Sequence, residues 1–426
     1  MKVLIITYYW PPAGGPGVQR WLKFVKYFKD FGIEPVVYTA KNPTYPIEDE
    51  SLISEVPNNV TILKHSIFEP YRFAEVFSKK EAKTISKGII TNTKKQSLIQ
   101  KLLLYIRGNF FIPDARKFWI KPSVKYLRSY LLNHQIDLII TTGPPHSIHL
   151  IGNELKNQLD IRWIADFRDP WTTIGYHNKL KLTKRSLKRH KALEKKVLAN
   201  ADHIVVTSFT TQVEFKEITN TPVSVITNGY DLESLDTVTL DTKFTISHIG
   251  SLLSGRDPKL LWKALYDLSR EDKLFAESLQ LQLIGTVSED VVQSIKEAGL
   301  NDFLMLKGYV PHGEAIKIQR SSQVLLLIEI DSPVTKCIIP GKLFEYMASE
   351  RPIIAIGPKD ADISRLIKET NSGVFFEHVE YESVKVFLRE CFDEFLKGSL
   401  KPKTKEISTY SRKSLTKKFA ELIKNS

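Results

Sequence analysis

The chain has 426 residues, with 61 Lys and Arg against 48 Asp and Glu, a formal net charge of +13. Hydrophobic residues at 42% and aromatics at 10% suffice for large cores, and 26% charged residues matches ordinary globular proteins, which excludes wholesale disorder. The only cysteines, Cys337 and Cys391, exclude a disulfide framework and a cysteine-based zinc site, so a reducing compartment is expected.

The apolar start, Val3 to Trp10, stops at Pro11-Pro12 and lacks the length and cleavage site of a signal peptide. No apolar run approaches the roughly 18 residues that span a bilayer. The expectation is a soluble, cytoplasmic chain.

In chain order, Val3 to Tyr9 reads as a strand, Pro11 to Gly17 as a glycine-rich turn, and Trp21, Phe24, Val25 and Phe28 as one face of a helix. A strand at Pro35 to Thr39 completes the opening of a parallel α/β domain. Further strands are expected at Thr61–Leu63, Asp137–Thr142, Arg162–Asp166, Ala201–Val206 and Val223–Thr227, then a polar linker from Asp231 to Thr242. A second series follows, with strands at Phe244–Ile249, Leu281–Ile284, Phe303–Leu306, Val324–Ile328, Pro352–Ile356 and Gly373–Phe376. Helices are expected between them at Pro258–Leu268, Glu289–Ala298, Gly313–Gln319, Lys342–Ala348 and Ile363–Glu369, then at Tyr381–Leu396 and Ser411–Lys424. The fold class is therefore α/β, two doubly wound Rossmann-like domains facing each other across a cleft. The expected boundaries are 1–236, with a basic, aromatic insert at about 71–130, then 237–405, and a C-terminal helix, 406–426, packing back on the first domain.

The basicity is local. Tyr71 to Tyr130 holds fourteen Lys and Arg against Glu75, Glu81 and Asp114, and Asn178 to Lys196 holds nine against Glu194. Such faces point to an anionic partner. No helix-turn-helix, RNP-type or zinc pattern supports nucleic acid. The first cluster is interleaved with Leu102, Leu103, Leu104, Phe110, Phe111 and Trp119, the composition of a helix lying on an anionic membrane surface. An ordinary solvated helix packed on a domain has the same signature.

Three loops between strand and helix carry the chemistry. Gly14-Gly15-Pro16-Gly17 lets backbone amides approach a ligand, or is only a structural turn. His248-Ile249-Gly250-Ser251 leads to Arg256, whose planar fork suits a diphosphate. Lys342 opens a helix after Gly341, and Glu345 lies one turn later, placed to accept from ribose hydroxyls or merely to cap the helix. On the other half, His146 follows Gly143-Pro144-Pro145, and Asp166, Arg168 and Asp169 end a strand, where sites lie in such sheets. His146 equally suits a satisfied capping histidine, and Asp169 before Pro170 a turn former.

These segments, with Trp163 to Trp171, Glu194, Ala201-Asp202, Val225 to Asp231, Ile284-Gly285, Lys307 to Val310, Gly341 to Ser349 and Pro352 to Ala355, resemble the retaining glycosyltransferases of family four, of GT-B architecture, nearly end to end. The resemblance implies transfer of a sugar from a nucleotide-diphosphate sugar, with retained anomeric configuration and without an essential metal or other cofactor. It implies a C-terminal donor domain and an N-terminal acceptor domain. Donor contacts would come from Gly14, Gly15, Gly250, Arg256, Tyr309, Val310, Gly341, Lys342 and Glu345. Asp166, Asp169 and His146 would serve the chemistry, with Arg256 and Lys342 stabilising the leaving diphosphate, which itself takes the acceptor's proton.

Two departures stand out. Of the family's two glutamates, which have seven residues between them, Glu345 matches the second, while Cys337 occupies the first. The phosphate loop's usual Arg and Lys are here Ser251 and Arg256, so Lys342 is expected to supply the second cation. The acceptor is expected to be lipid-linked or a polysaccharide, met peripherally at the inner face of a membrane and serving the cell envelope. Other expectations for the same sequence are a nucleotide-sugar epimerase and a catalytically degenerate nucleotide-binding scaffold.

Overall fold

The computed structural model describes residues 1–69, 98–175, 177–231 and 238–425. The first part of the basic insert, from Arg72 to Lys95, the linker from 232 to 237 and the expected boundary at 236/237 lie outside the described residues. The chain forms two compact units, Met1–Asn228 with Arg412–Ser426, and Gly229–Ser411.

In the first unit, seven strands form one sheet: β1 (Lys2–Ile6), β2 (Glu34–Lys41), β3 (Thr61–Ser66), β4 (Leu138–Gly143), β5 (Trp163–Phe167), β6 (His203–Val206) and β7 (Val223–Val225). Their order is β3-β2-β1-β4-β5-β6-β7, and every pair is parallel. Val3, Leu4, Ile5 and Ile6 are all fully buried, as expected of a strand covered by helices on both faces. The covering helices are α1 (Pro16–Phe28), α2 (Leu98–Phe110), α3 (Ile120–Asn133), α4 (Ser147–Leu159), α5 (Lys184–Asn200) and α6 (Phe209–Lys216). In α1, Trp21, Leu22, Val25 and Phe28 recur at helical spacing and face the core.

The second unit has a six-stranded parallel sheet in the order β10-β9-β8-β11-β12-β13. Its strands are β8 (Phe244–Ile249), β9 (Leu279–Ile284), β10 (Leu304–Lys307), β11 (Val324–Ile328), β12 (Ile353–Gly357) and β13 (Gly373–Glu377). Around them run α7 (Lys259–Glu271), α8 (Lys273–Ser278), α9 (Glu289–Glu297), α10 (His312–Ser321), α11 (Lys342–Ala348), α12 (Asp362–Thr370) and α13 (Tyr381–Leu396). The last helix, α14 (Arg412–Asn425), belongs to the first unit. There Phe419, fully buried, meets Trp21 and Phe24 of α1 with ring centroids 5.6 and 5.2 Å apart.

Both sheets reverse their order beside the first strand, at β1/β4 and at β8/β11. Such switch points open a crevice at the C-terminal strand ends. The residues after β1, β4, β8 and β11 are thus the ones the topology gathers. Several expected strand bounds shift by one to three residues, two of them with an evident cause. β1 ends at Ile6 rather than Tyr9, because Tyr8 turns in to donate from its hydroxyl to Glu69 at 2.6 Å. β9 starts two residues early, at Leu279, which packs in the core.

Candidate functional site

In the second unit, β8 delivers His248 and then Gly250, whose φ of 117° is left-handed backbone that glycine tolerates. A Cβ at Gly250 would stand 2.9 Å from the Lys342 ammonium, so a glycine is needed there on two counts. His248 is fully buried and its Nδ1 donates to the Leu326 carbonyl at 2.9 Å. That bond leaves Nε2 as the acceptor, and the Lys342 ammonium donates to it at 3.2 Å. Burial first, and Lys342 second, push the His248 pKa well below its usual range, so the ring is neutral.

Beside this pair, Arg256 reaches Glu329 at 3.1 Å, the residue that follows β11. Glu329 is nearly buried, and burial raises its pKa despite the adjacent guanidinium. Lys342 is pushed down to about 8, chiefly by burial and further by Arg256, with Glu329 and Glu345 pulling the other way. Two cations therefore crowd one carboxylate, and the Arg256 Nε is buried without a hydrogen-bond partner among the described residues. Such a cluster is built to receive an anion. The helix that starts at Lys342 has only seven residues, so the side chains, rather than a helix dipole, carry the positive potential.

Glu345 accepts from Gln319 at 3.1 Å, and its other oxygen lies 4.0 Å from His312. Tyr309 is 89% exposed and Val310 half-buried, after the edge strand β10. Cys337 sits in the loop before α11, where the Ile338 amide is spent on the Thr335 carbonyl at 2.9 Å.

In the first unit, the expected site residues separate into two kinds. Asp166 is fully buried and its oxygens are occupied: Oδ1 accepts from Arg20 at 2.9 Å, and Oδ2 from Trp21 and Thr142, both at 2.8 Å. It ties α1 to β4 and β5, and Arg20 continues to the Thr227 carbonyl at 2.7 Å. Asp169, three residues on, is half-buried and makes no hydrogen bond among the described residues. Burial raises its pKa, and Arg168 opposes the rise. Arg168 bonds the Pro144 carbonyl and lies over the Tyr9 ring; it also fills the space a Cβ on Gly17 would need. Gly14 and Gly15 open α1 here, but the Gly14 amide already donates to Ile47 at 2.9 Å.

His146 is 4% exposed and stacks on Trp171 with centroids 4.9 Å apart, yet neither ring nitrogen has a partner among the described residues. Burial holds its pKa well below the usual value, with His149, His177, Arg168 and His190 adding to the effect. Burial similarly pushes His149 to about 3 and His177 to about 4. His146, Trp171, His177 and His190 line a cavity of about 110 Å³ with Arg107 and Arg116. No group of three His, Cys, Asp or Glu among the described residues is disposed to hold a metal ion.

Sequence reasoning missed Arg20, Glu329, His177 and His190. Glu329 had a signal, since it follows a fully apolar strand beside the Arg256 loop. Arg20 and the two histidines had none, because their partners are distant in sequence.

The outer face of the first unit carries exposed Leu102, Tyr105, Phe110 and Phe118, with the Lys117 ammonium over the Phe111 and Phe118 rings. No helix among the described residues is long and apolar enough to cross a membrane.

Residues 88–234 match the family model described as Glycosyltransferase Family 4. Solved structures match over the whole chain. The lipopolysaccharide outer core galactosyltransferase WaaB, in its apo form, is 13% identical with a TM-score of 0.59, covering 100% of this chain and 99% of that one. A mutant of S. aureus TarM in complex with fondaparinux, alpha-GlcNAc-glycerol and UDP is 12% identical with a TM-score of 0.57, covering 100% of both chains. A putative UDP-N-acetylglucosamine 2-epimerase from Listeria monocytogenes is 10% identical with a TM-score of 0.56, covering 100% of this chain and 96% of that one. No curated protein gives a significant match to the chain. The architecture is GT-B, and the match to the glycosyltransferase family 4 model is confined to residues 88–234.

Proposed function

We propose that this chain, which has a GT-B frame and matches the family 4 model over residues 88–234, is a glycosyltransferase that moves a sugar from a nucleoside diphosphate sugar to a lipid-linked or polysaccharide acceptor with retained anomeric configuration. The observation that carries the reading is the pair of neighbouring cations, Arg256 bound to Glu329 at 3.1 Å and Lys342 held on the neutral His248 ring at 3.2 Å. A diphosphate supplies the missing negative charge, and gains most when the departing group develops its charge in the transition state. Lys342 can leave the neutral His248 ring for a phosphoryl oxygen without creating a buried unpaired charge.

Glu345 and the Tyr309–Val310 turn serve the nucleoside end of the donor, and Gly250 and Gly341 admit the phosphates to the backbone. In the first unit, Asp169 and His146 meet the acceptor hydroxyl and the sugar, while Asp166 acts as a positioning residue through Arg20 and Trp21. The diphosphate oxygen takes the acceptor's proton as it leaves, which removes the need for a metal or a protein base. The exposed aromatic and basic face of the first unit suits an anionic membrane surface, and so a lipid-linked acceptor.

The fold also accommodates epimerases, as the Listeria structure illustrates. The deciding experiment supplies a panel of nucleoside diphosphate sugars with and without a membrane-lipid extract. Acceptor-dependent release of nucleoside diphosphate, with a product of unchanged anomeric configuration, is the expected result. A sugar nucleotide altered without any acceptor overturns the transfer reading, and the absence of all turnover favours a binding scaffold.

A further inference from the structure

The buried cavity of the first unit lies beyond His146 and has no role in the account above. It is closed by the turn after β4, by the segment that holds Arg107, Asp114 and Arg116, and by Trp171, His177 and His190. At about 110 Å³ it has room for several waters or for the head of one oxyanion.

The cavity is polar and unsatisfied. His146 leaves both ring nitrogens without partners among the described residues. The Trp171 indole donates to His190 Nδ1 at 3.2 Å, which places the hydrogen of a neutral ring on Nε2, near the Gly108 carbonyl but outside good hydrogen-bond geometry. Arg116 places one terminal nitrogen, Nη2, 3.2 Å from the Tyr8 hydroxyl and 3.4 Å from Glu69, while its Nε is buried without a partner among the described residues. Asp114, the one acid in the lining, is committed to Ser147, whose amide and hydroxyl it takes at 2.8 and 2.9 Å, and to the Arg116 amide.

Further cations lie outside the lining. Lys117 and Arg189 stand close enough for Arg189 to depress the lysine's pKa, adding to burial, and neither has a carboxylate partner among the described residues. Burial lowers the His190 pKa, the Gly108 carbonyl and then Asp114 oppose it, and Arg189 adds a smaller downward push. A lining with two arginines against one committed carboxylate, and with unpartnered nitrogens on His146 and Arg116, forms a site for a small anion.

We propose that this cavity seats an acidic group of the acceptor, a sugar carboxylate or a phosphate, so that the enzyme selects a negatively charged acceptor over its neutral counterpart. The inference rests on the reading of the first unit as the acceptor-binding half. Arg107 and Arg116 supply the charge, and His146 and His190 supply donors.

The test is calorimetric titration of the full chain carrying Lys342→Ala and Arg256→Ala, which removes the diphosphate cations of the second unit. The probes are glucuronate, inorganic phosphate and glucose. At least one oxyanion is expected to bind at least tenfold more tightly than glucose. Arg107→Gln should weaken it about tenfold, and Arg107→Lys should restore most of the loss. His190→Gln provides a second variant should Arg107→Gln fold poorly, and should weaken the same probe. Preference for glucuronate identifies a sugar carboxylate, and preference for phosphate a phosphorylated acceptor. Equal binding of glucose and both oxyanions, no binding of any probe, or indifference to both Arg107→Gln and His190→Gln overturns the proposal. Nucleotide binding by the wild-type chain is measured in parallel. Its loss with oxyanion binding intact would count against the transferase reading alone, and the reverse pattern against the cavity alone.

Discussion

The Lys342 ammonium stands 3.2 Å from Nε2 of His248, a ring whose other nitrogen is fixed on the Leu326 carbonyl. This relationship keeps a buried cation on a neutral acceptor rather than in a salt bridge. A lysine tied to a carboxylate has to break an ion pair before meeting a phosphate, whereas Lys342 gives up only a neutral hydrogen bond.

Removing either cation should weaken donor binding with little effect on the fold. A charge-assisted hydrogen bond is worth about 1.5–3 kcal/mol, so Lys342→Ala and Arg256→Ala should each raise the donor diphosphate Kd by roughly 10- to 150-fold. Titration calorimetry on the two variants checks this, with circular dichroism melts to confirm folding.

Donor binding should also take up a proton above neutral pH. Lys342 titrates at about 8 in the free protein, and a bound diphosphate raises that value. Near pH 8.5 the free ammonium is mostly deprotonated, so binding recruits protons. Calorimetry in two buffers of different ionisation enthalpy should report the uptake, and Lys342→Arg should abolish it.

Asp166 and Asp169 should behave oppositely. Asp166→Ala strands the Arg20 guanidinium in the core, and breaking a buried pair in this way costs about 3–5 kcal/mol. Asp169→Asn should leave the melting temperature nearly unchanged and reduce kcat. The comparison needs only a thermal melt and a turnover assay on each variant.

Stability should fall with acid before the carboxylates titrate. His146, His149, His177, His190 and His248 all have folded pKa values depressed below their ordinary range, chiefly by burial. The unfolded chain therefore binds more protons below about pH 6.5, and stability is lost as pH falls from there toward about 4 for His177 and about 3 for His149. Each histidine adds a slope of up to about 1.4 kcal/mol per pH unit. Urea titrations between pH 7 and pH 4 measure it, and His177→Gln should flatten the curve.

The exposed aromatic face should hold the protein on anionic vesicles at low salt and release it at high salt. Phe110→Ser with Phe118→Ser should reduce sedimentation with such vesicles. Indifference of the wild-type chain to them at low salt removes the membrane from the account.

The parallel sheets were legible because strands such as Val324–Ile328 are apolar on both faces, a pattern that only a doubly covered strand shows. Arg256 and Lys342 could be found because both follow glycines at strand-to-helix turns. Helix α5 was hidden by its own composition: between Lys184 and Asn200 its buried face is Ser186, His190, Glu194, Val197 and Leu198, so it read as a charge run. The histidine cavity was invisible for a different reason. It is assembled from Arg107, His146 and His190, and no local pattern announces that these meet. Position alone marked Asp166 as chemical, whereas its hydrogen bonds to Arg20, Trp21 and Thr142 spend both oxygens on the fold.

The central claim is a nucleoside diphosphate site on Arg256 and Lys342 in the second unit. Its most direct test is a thermal-shift panel of UDP, GDP, ADP, dTDP and CMP on the wild-type chain and on Arg256→Ala and Lys342→Ala. The account predicts that one diphosphate raises the melting temperature, by mass action on the folded state, and that both variants lose the shift. No shift with any nucleotide, or a shift that survives both substitutions, would contradict it.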